Sequence, residues 1–92
     1  MDLDLTELSN PKTVGEAVAI LMHDLSSETL AELRQTPEDE LIDHHLGLGR
    51  FIRNVFGLHG GNLDLLQDSG TLNPDDASLA IIRALWHRLR LH

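Results

Sequence analysis

The spacing of apolar residues predicts a chain made mostly of helices. Over residues 14–25, apolar side chains recur three and four positions apart, which places them on one face of a helix. Thr13 and Glu16 have the spacing of a capping box, in which side chains at a helix start bond backbone N–H groups that lack a partner. The first helix is therefore predicted from Val14 to about Asp24.

Two shorter helices are predicted from similar signals. Ser26 or Ser27 caps a second helix that ends near Gln35, with its leucines facing inward. After a loop with paired glycines, Asn62 caps a short helix through Leu66, which a Ser-Gly pair then ends.

The last helix has the clearest start signal. Asn73 caps it, Pro74 takes its first position, and Asp75 and Asp76 place negative charge where the helix dipole favours it. The helix is predicted to run to about Leu91. Its inward face is predicted to contain Ile82, Leu85, Trp86 and Leu89.

The longest helical pattern lies in the middle of the chain. Thr36 is expected to cap it and Pro37 to begin it, while Gly57, followed by apolar Leu58, fits the left-handed residue that ends a helix. The other elements are expected to cover its apolar side. At about 100° per residue, that side is predicted to contain Leu41, His45, Leu48, Ile52, Val55 and Phe56. The far side is predicted to contain Asp43, Gly47, Arg50 and Asn54.

Two glycines inside this central helix require an explanation. Each of Gly47 and Gly49 lowers helix stability by roughly 1 kcal/mol relative to alanine. One interpretation is that a neighbouring helix, or the segment over residues 73–76, approaches the backbone closely there. The other is a flat patch on which a ligand or the backbone of a partner lies.

The arginines of the central helix also allow two interpretations. In the first, Arg53 pairs with Asp75 or Asp76 and links the last helix to the central one, while Asn54 bonds the backbone of the following loop. In the second, Arg50 and Arg53 recognise an anion or a carboxylate on an open face.

Composition favours helix over sheet. Leucine dominates, and the chain has only two phenylalanines, one tryptophan and no tyrosine. We predict an all-α fold, a compact bundle of four main helices plus one short helix. Residues 1–10 form an N-terminal arm and residues 11–92 a single helical domain. Without cysteine, a targeting signal or an apolar run of about 20 residues, the chain is expected in the cytoplasm and without a membrane partner.

The charge is unevenly distributed. The net charge is −8; residues 1–45 hold 11 acidic against 2 basic residues, which is −9, and residues 46–92 hold 4 against 5, which is +1. An acidic field repels nucleic-acid phosphates, so direct nucleic-acid binding is not expected. The same field speeds association with a basic protein, although excess acid also serves solubility alone.

The residue types for catalysis and metal binding are poorly arranged. His44 and His45 follow Asp43 directly, so the two rings project about 100° apart on a helix and do not suit one metal ion. His45 is expected in the core and His44 at the surface or an interface. The loop around His59 is glycine-rich but has no lysine and no preceding strand, unlike a phosphate-binding loop. We therefore predict no metal, no cofactor and no enzymatic activity.

Several stretches resemble a family of small bacterial proteins described as a domain of unknown function. They are PKTVGEAVAIL (residues 11–21), HLGLGRFIRNVFGLHGGN (residues 45–62), NPDDAS (residues 73–78) and the closing ALWHRL. The combination of G-x-x-I-R-N-x-x-G-L with P-D-D-x-S carries most of this resemblance, which implies an all-helical fold and no particular activity. One departure is His59, where an aromatic residue is expected.

The favoured functional hypothesis is a protein-binding module that covers a basic surface of a partner protein. An acidic, cysteine-free helical protein of this size fits an immunity protein, an antitoxin or an inhibitor of a nuclease or phage-defence effector. The residues predicted to meet the partner are Glu32, Glu38, Asp39, Glu40 and Asp43.

Two other hypotheses remain open from the sequence. One is a self-associating structural domain, a homodimer that uses the glycine face of the central helix or Trp86. The other is a sensor of a small anionic ligand. The residues assigned to a ligand or an interface are His44, Gly47, Arg50, Arg53, Asn54 and His59.

Overall fold

Helices make up most of the part of the chain that the computed structural model describes, residues 11–91, with the backbone alone at His45. The elements are α1 (Val14–Asp24), α2 (Ser27–Gln35), a 3-10 helix (Glu38–His44), a π-helix (His45–Gly49), α3 (Arg50–Val55), α4 (Leu63–Ser69) and α5 (Pro74–Leu89). No residue within 11–91 lies in a strand, so the predicted all-α fold is confirmed. The predictions for the arm over residues 1–10 and for the core position of His45 lie outside the described residues.

The start of α1 forms a modified capping box. Thr13 Oγ1 accepts a hydrogen bond from the Glu16 N–H at 3.1 Å, as predicted. The Glu16 carboxylate reaches one residue further back than in the usual box and accepts from the Lys12 N–H at 2.8 Å. Asp68, in α4, accepts from the Val14 N–H at 2.7 Å. A side chain from another helix therefore satisfies one of the free N–H groups of α1.

The starts of α4 and α5 agree with the predicted caps. Asn62 Oδ1 accepts from the Leu65 N–H at 3.3 Å. Asn73 Oδ1 accepts from the N–H groups of Asp75 and Asp76, at 2.8 and 3.2 Å. The helix α4 continues past the predicted Leu66 to Ser69, and Gly70 ends it in the left-handed conformation, with φ 93°.

The prediction of one continuous α-helix in the middle of the chain is wrong. Thr36 does not cap it, because the Thr36 hydroxyl donates to the carbonyl of Glu32 at 2.9 Å and belongs to the end of α2. The Glu40 N–H bonds the Pro37 carbonyl three residues back, and a 3-10 helix follows. A π-helix then places two glycines, which have low helix propensity, in its wider turn. The spacing of apolar residues did not reveal these changes, because it reflects only the average number of residues per turn.

The end of this central segment (residues 38–55) follows the prediction. Gly57 has φ 67°, and the Leu58 N–H donates to the carbonyl of Arg53 at 3.1 Å. This is the six-to-one bond of a Schellman motif. The predicted core side is confirmed at Leu41, Ile52 and Phe56, which are fully buried, and Leu48 packs against them. Val55 departs from it: its side chain is 39% exposed, because the changes in helix type rotate the register.

The helix that organises the core is α5 rather than the central segment. It packs against α1, α2, α3, α4 and both non-α helices. Ile81, Ile82 and Leu85 are completely buried along it. The expectation that the other elements cover the central helix is therefore wrong, because the longest regular helix of the structure has the longer buried stripe. Within residues 11–91, no helix combines the length and apolar character that a membrane crossing requires.

Candidate functional site

The solvent side of the central segment brings together many residues singled out in the sequence. All of them are exposed, and they follow one another at intervals of one or three residues, which is the spacing of one helix face. We call this surface the outward face; it consists of Asp39, Ile42, Asp43, Leu46, Gly47, Arg50, Phe51 and Asn54.

The changes in helix type determine which residues share this face. In a 3-10 helix residues three apart eclipse each other, so Asp39 and Ile42 lie in one row. The wider π-helix then carries the row through Leu46 towards Arg50, and α3 continues it to Asn54. The face is therefore continuous although the backbone passes through three kinds of helix.

The carboxylates predicted to meet a partner are all exposed: Glu32, Glu38, Asp39, Glu40 and Asp43. Glu38 interacts with α5, because its Oε2 lies 3.9 Å from Arg83 Nε and 3.7 Å from His87 Nε2. Within residues 11–91, the side chains of the other four form no ion pair and accept no hydrogen bond. They are available to a partner.

Arg53 has a structural role. Its side chain is buried, Nη1 donates to Ser78 Oγ at 3.1 Å, and Nε lies 3.4 Å from Asp75 Oδ1. The predicted pairing with the start of the last helix is thus confirmed. Gly49 lies directly beside this group: an added Cβ would be 3.1 Å from Arg53 Nη1 and 3.5 Å from Ser78 Oγ. The Arg53 guanidinium, held in place by Ser78 and Asp75 of α5, therefore accounts for Gly49.

Gly47 and Arg50 have the opposite environment. Among the described residues, a Cβ added at Gly47 would meet no atom within 4 Å, so the open-patch interpretation applies to this glycine. Arg50 is exposed and forms no ion pair with another described residue. Because Arg53 is buried against α5 while Arg50 faces solvent, the two guanidinium groups do not form one anion site. This geometry weighs against the ligand-sensor hypothesis.

The loop after the central segment is bonded by Asn62 rather than by Asn54. The Asn62 side-chain amide donates to the carbonyls of Phe56 at 2.8 Å and Pro11 at 3.0 Å. Asn54 is exposed, and its side chain makes no hydrogen bond within the described residues. The prediction for Asn54 is wrong because its position on the helix faces away from the loop. It lies on the outward face instead.

The histidines do not form a site with these residues. His44 is half-buried, and its Nε2 lies 3.1 Å from Thr36 Oγ1. His59 is exposed in the loop that follows Gly57. No group of three or more His, Cys, Asp or Glu side chains within residues 11–91 is arranged to hold a metal ion.

The structure also shows apolar residues at the surface that the sequence analysis missed. The side chains of Ile42, Leu46 and Phe51 are 57, 70 and 42% exposed on the outward face. Their positions outside the predicted core stripe were visible in the sequence. Their exposure was not predicted, because surface leucines are common and only the tertiary structure shows what else they adjoin.

A shallow polar cleft lies apart from the outward face, between the ends of α2 and α5. It has a volume of about 280 Å³ and is lined by Arg34, Gln35 and Arg90. Arg90 Nη1 donates to the Arg34 carbonyl at 2.8 Å, and its guanidinium carbon lies 4.6 Å from the centroid of the Trp86 ring. Arg90 therefore covers the Trp86 ring on this side while it remains exposed.

Comparison with known proteins places the chain in a family. The family model for a domain of unknown function, DUF6794, matches residues 10–89. The match includes the central segment, the buried Arg53 and all of α5. No curated protein and no solved structure matches the chain. The chain belongs to the family of the domain of unknown function DUF6794.

Proposed function

We propose that this domain is a non-catalytic protein-binding module that covers a basic surface of a partner protein. The observation that carries the proposal is the state of its carboxylates. Glu32, Asp39, Glu40 and Asp43 are exposed and have no cationic partner within the described residues. They belong to the acidic half of the chain, where the net charge is −9. Such a field accelerates association with a basic surface and discriminates against acidic ones.

The neighbouring apolar residues support the same proposal. Charged rims bind most effectively around apolar groups that become buried on contact. Ile42 is 57% exposed and lies beside Asp39 and Asp43. The partner class that fits this combination is a basic protein such as a nuclease or another effector that binds nucleic acid, with the module acting as an inhibitor, immunity protein or antitoxin.

The test compares three forms of the full-length protein as baits in lysate of its native cell, at low and moderate salt. They are the wild type, a variant with Asp39→Asn, Glu40→Gln and Asp43→Asn, and a control with Glu28→Gln, Asp64→Asn and Asp76→Asn. Both variants lose three negative charges. The control positions are exposed, lie in the first turns of α2, α4 and α5, and have no described side-chain partner.

We expect the wild type and the control to retain the same basic protein in stoichiometric amount, and the acidic-surface variant to lose it. Added salt should release it by screening. Association rates measured with the purified partner should fall in the acidic-surface variant alone. Equal retention by all three baits, or equal loss from both variants, would refute a specific acidic surface.

A further inference from the structure

Gly47 lies at a position where the described monomer has no need of a glycine. Its backbone is not in the left-handed region, which within residues 11–91 is occupied by Gly57, Gly61 and Gly70. No atom of the described residues lies within 4 Å of a Cβ added at Gly47. Glycine in a helix lowers stability by roughly 1 kcal/mol relative to alanine. A contact with a second molecule at this notch would offset that loss.

The residues before and after Gly47 form pairs that lie equally far from one point on the helix and have complementary side chains. A two-fold axis perpendicular to the helix, passing between Leu46 and Gly47, would bring together residues that lie equally far before and after that point. The four pairs are Leu46 with Gly47, Asp43 with Arg50, Ile42 with Phe51, and Asp39 with Asn54. All of these residues are exposed.

Each pair is complementary. The Leu46 side chain, 70% exposed, would fill the notch that Gly47 leaves in the other molecule. Asp43 and Arg50 carry opposite charges and have no described partner in the monomer. They are seven residues apart, roughly 10 Å along a helix, which is too far for them to pair within one chain.

We infer that a second copy of this chain docks on the outward face, with the two central segments antiparallel across this axis. A two-fold dimer requires a surface that complements itself, with each contact made twice. On the outward face, the side chains that would meet complement each other in size, in apolar character and in charge. A uniformly basic partner would meet Arg50 in the middle of the face with like charge, and a uniformly acidic one would meet Asp39 and Asp43. A second copy of the chain places Asp43 opposite Arg50 and Arg50 opposite Asp43, so both charges meet an opposite charge.

The dimer shares Asp39, Ile42 and Asp43 with the surface proposed for a basic partner, so the two proposals use overlapping surfaces and are tested separately. Glu32 and Glu40 lie off the outward face as defined above, and both remain exposed for another partner. One helix crossing buries less than the roughly 800 Å² per subunit of a standard stable interface. We therefore expect an equilibrium that depends on protein concentration.

The experiment measures the molar mass of the full chain by sedimentation equilibrium over a wide concentration range. The wild type should approach twice the monomer mass as the concentration rises. Arg50→Glu places like charges opposite each other twice in each dimer, and should raise the dissociation constant at least about tenfold. Arg88→Glu, an equal charge change at an exposed position on α5, should leave it unchanged.

The double variant Asp43→Arg with Arg50→Glu keeps the net charge and exchanges the two signs, so it should restore the dimer. Far-UV circular dichroism confirms that each variant is folded. A wild type that stays monomeric, an Arg50→Glu variant that behaves like Arg88→Glu, or a double variant that fails to recover would overturn the inference. Arg50→Glu leaves every proposed partner-binding carboxylate intact, so loss of the dimer with retained partner capture separates the two proposals.

Discussion

The indole Nε1–H of Trp86 donates a 2.7 Å hydrogen bond to the carbonyl oxygen of Thr36, fifty positions earlier. This bond attaches the turn between α2 and the 3-10 helix to the organising helix α5. Thr36 is thereby held by its backbone and by its hydroxyl bond to Glu32. The connection explains why the central segment begins as a 3-10 helix after Pro37 and not as an α-helix capped by Thr36.

Replacing Trp86 with phenylalanine should lower the free energy of unfolding by about 1–3 kcal/mol. The variant removes the only described donor to the Thr36 carbonyl and leaves a small void. The measurement is urea unfolding followed by circular dichroism, because the chain has no other tryptophan to report by fluorescence. The control Arg90→Ala removes the cation over the ring and its bond to the Arg34 carbonyl but keeps the indole bond, and should lower the free energy of unfolding by less. Equal losses would contradict a leading role for the indole bond.

The two glycines of the π-helix should respond oppositely to alanine. At Gly49 the new Cβ would press on Arg53 Nη1 at 3.1 Å, and that guanidinium is held by Ser78 and Asp75. We expect Gly49→Ala to destabilise the protein by about 1 kcal/mol or more, since overpacking exceeds the gain in helix propensity. Gly47→Ala has open space and should stabilise the monomer by up to about 1 kcal/mol.

Both glycine variants are compared by urea unfolding at a concentration at which the wild type is monomeric. The same two proteins also test the proposed dimer. A methyl group at position 47 would partly fill the notch that accepts Leu46 of the second copy. Gly47→Ala should therefore weaken association while it strengthens folding. Destabilisation by alanine at both positions would contradict the assignment of an open environment to Gly47.

Arg53 and Arg50 make a matched pair for testing which arginine is structural. Arg53→Met should lower the free energy of unfolding by about 1–3 kcal/mol, because a buried donor to Ser78 and Asp75 is lost. Arg50→Met should change it by less than about 0.5 kcal/mol, as is usual for an exposed side chain. Thermal unfolding of dilute samples compares the two, and equal effects would refute the separation of roles.

Asn62 and Asn54 should differ in the same way. The Asn62 side chain caps α4 and bonds the carbonyls of Phe56 and Pro11. Asn62→Ala should therefore lower the free energy of unfolding by about 2 kcal/mol, because α4 loses its cap and the two carbonyls lose this donor. Asn54→Ala should be nearly neutral for folding, because the Asn54 side chain makes no described hydrogen bond. Unfolding by guanidinium provides the comparison, and a large effect at Asn54 would show an undescribed role.

The local signals in the sequence predicted where most helices begin and end. The caps at Thr13, Ser26, Asn62 and Asn73 and the stop at Gly57 involve residues within a few positions of each other. Such interactions do not depend on the rest of the fold, so one sequence is enough to recognise them. The all-α class and the apolar stripes of α1 and α5 follow from the same local periodicity.

The tertiary structure decided how the central segment is wound and what covers each of its sides. Packing against α5, the bond from Trp86 to Thr36 and the burial of Arg53 act over separations of 25 to 50 residues. As a result the central segment passes through three kinds of helix, Val55 is exposed against the prediction, and the Arg53 guanidinium encloses Gly49. Apolar spacing placed Gly47 on the far side of the helix, but it could not show which side chain would enclose Gly49. That contact depends on three-dimensional packing, because Arg53 is held in place by residues of α5 that lie more than twenty positions away in the chain.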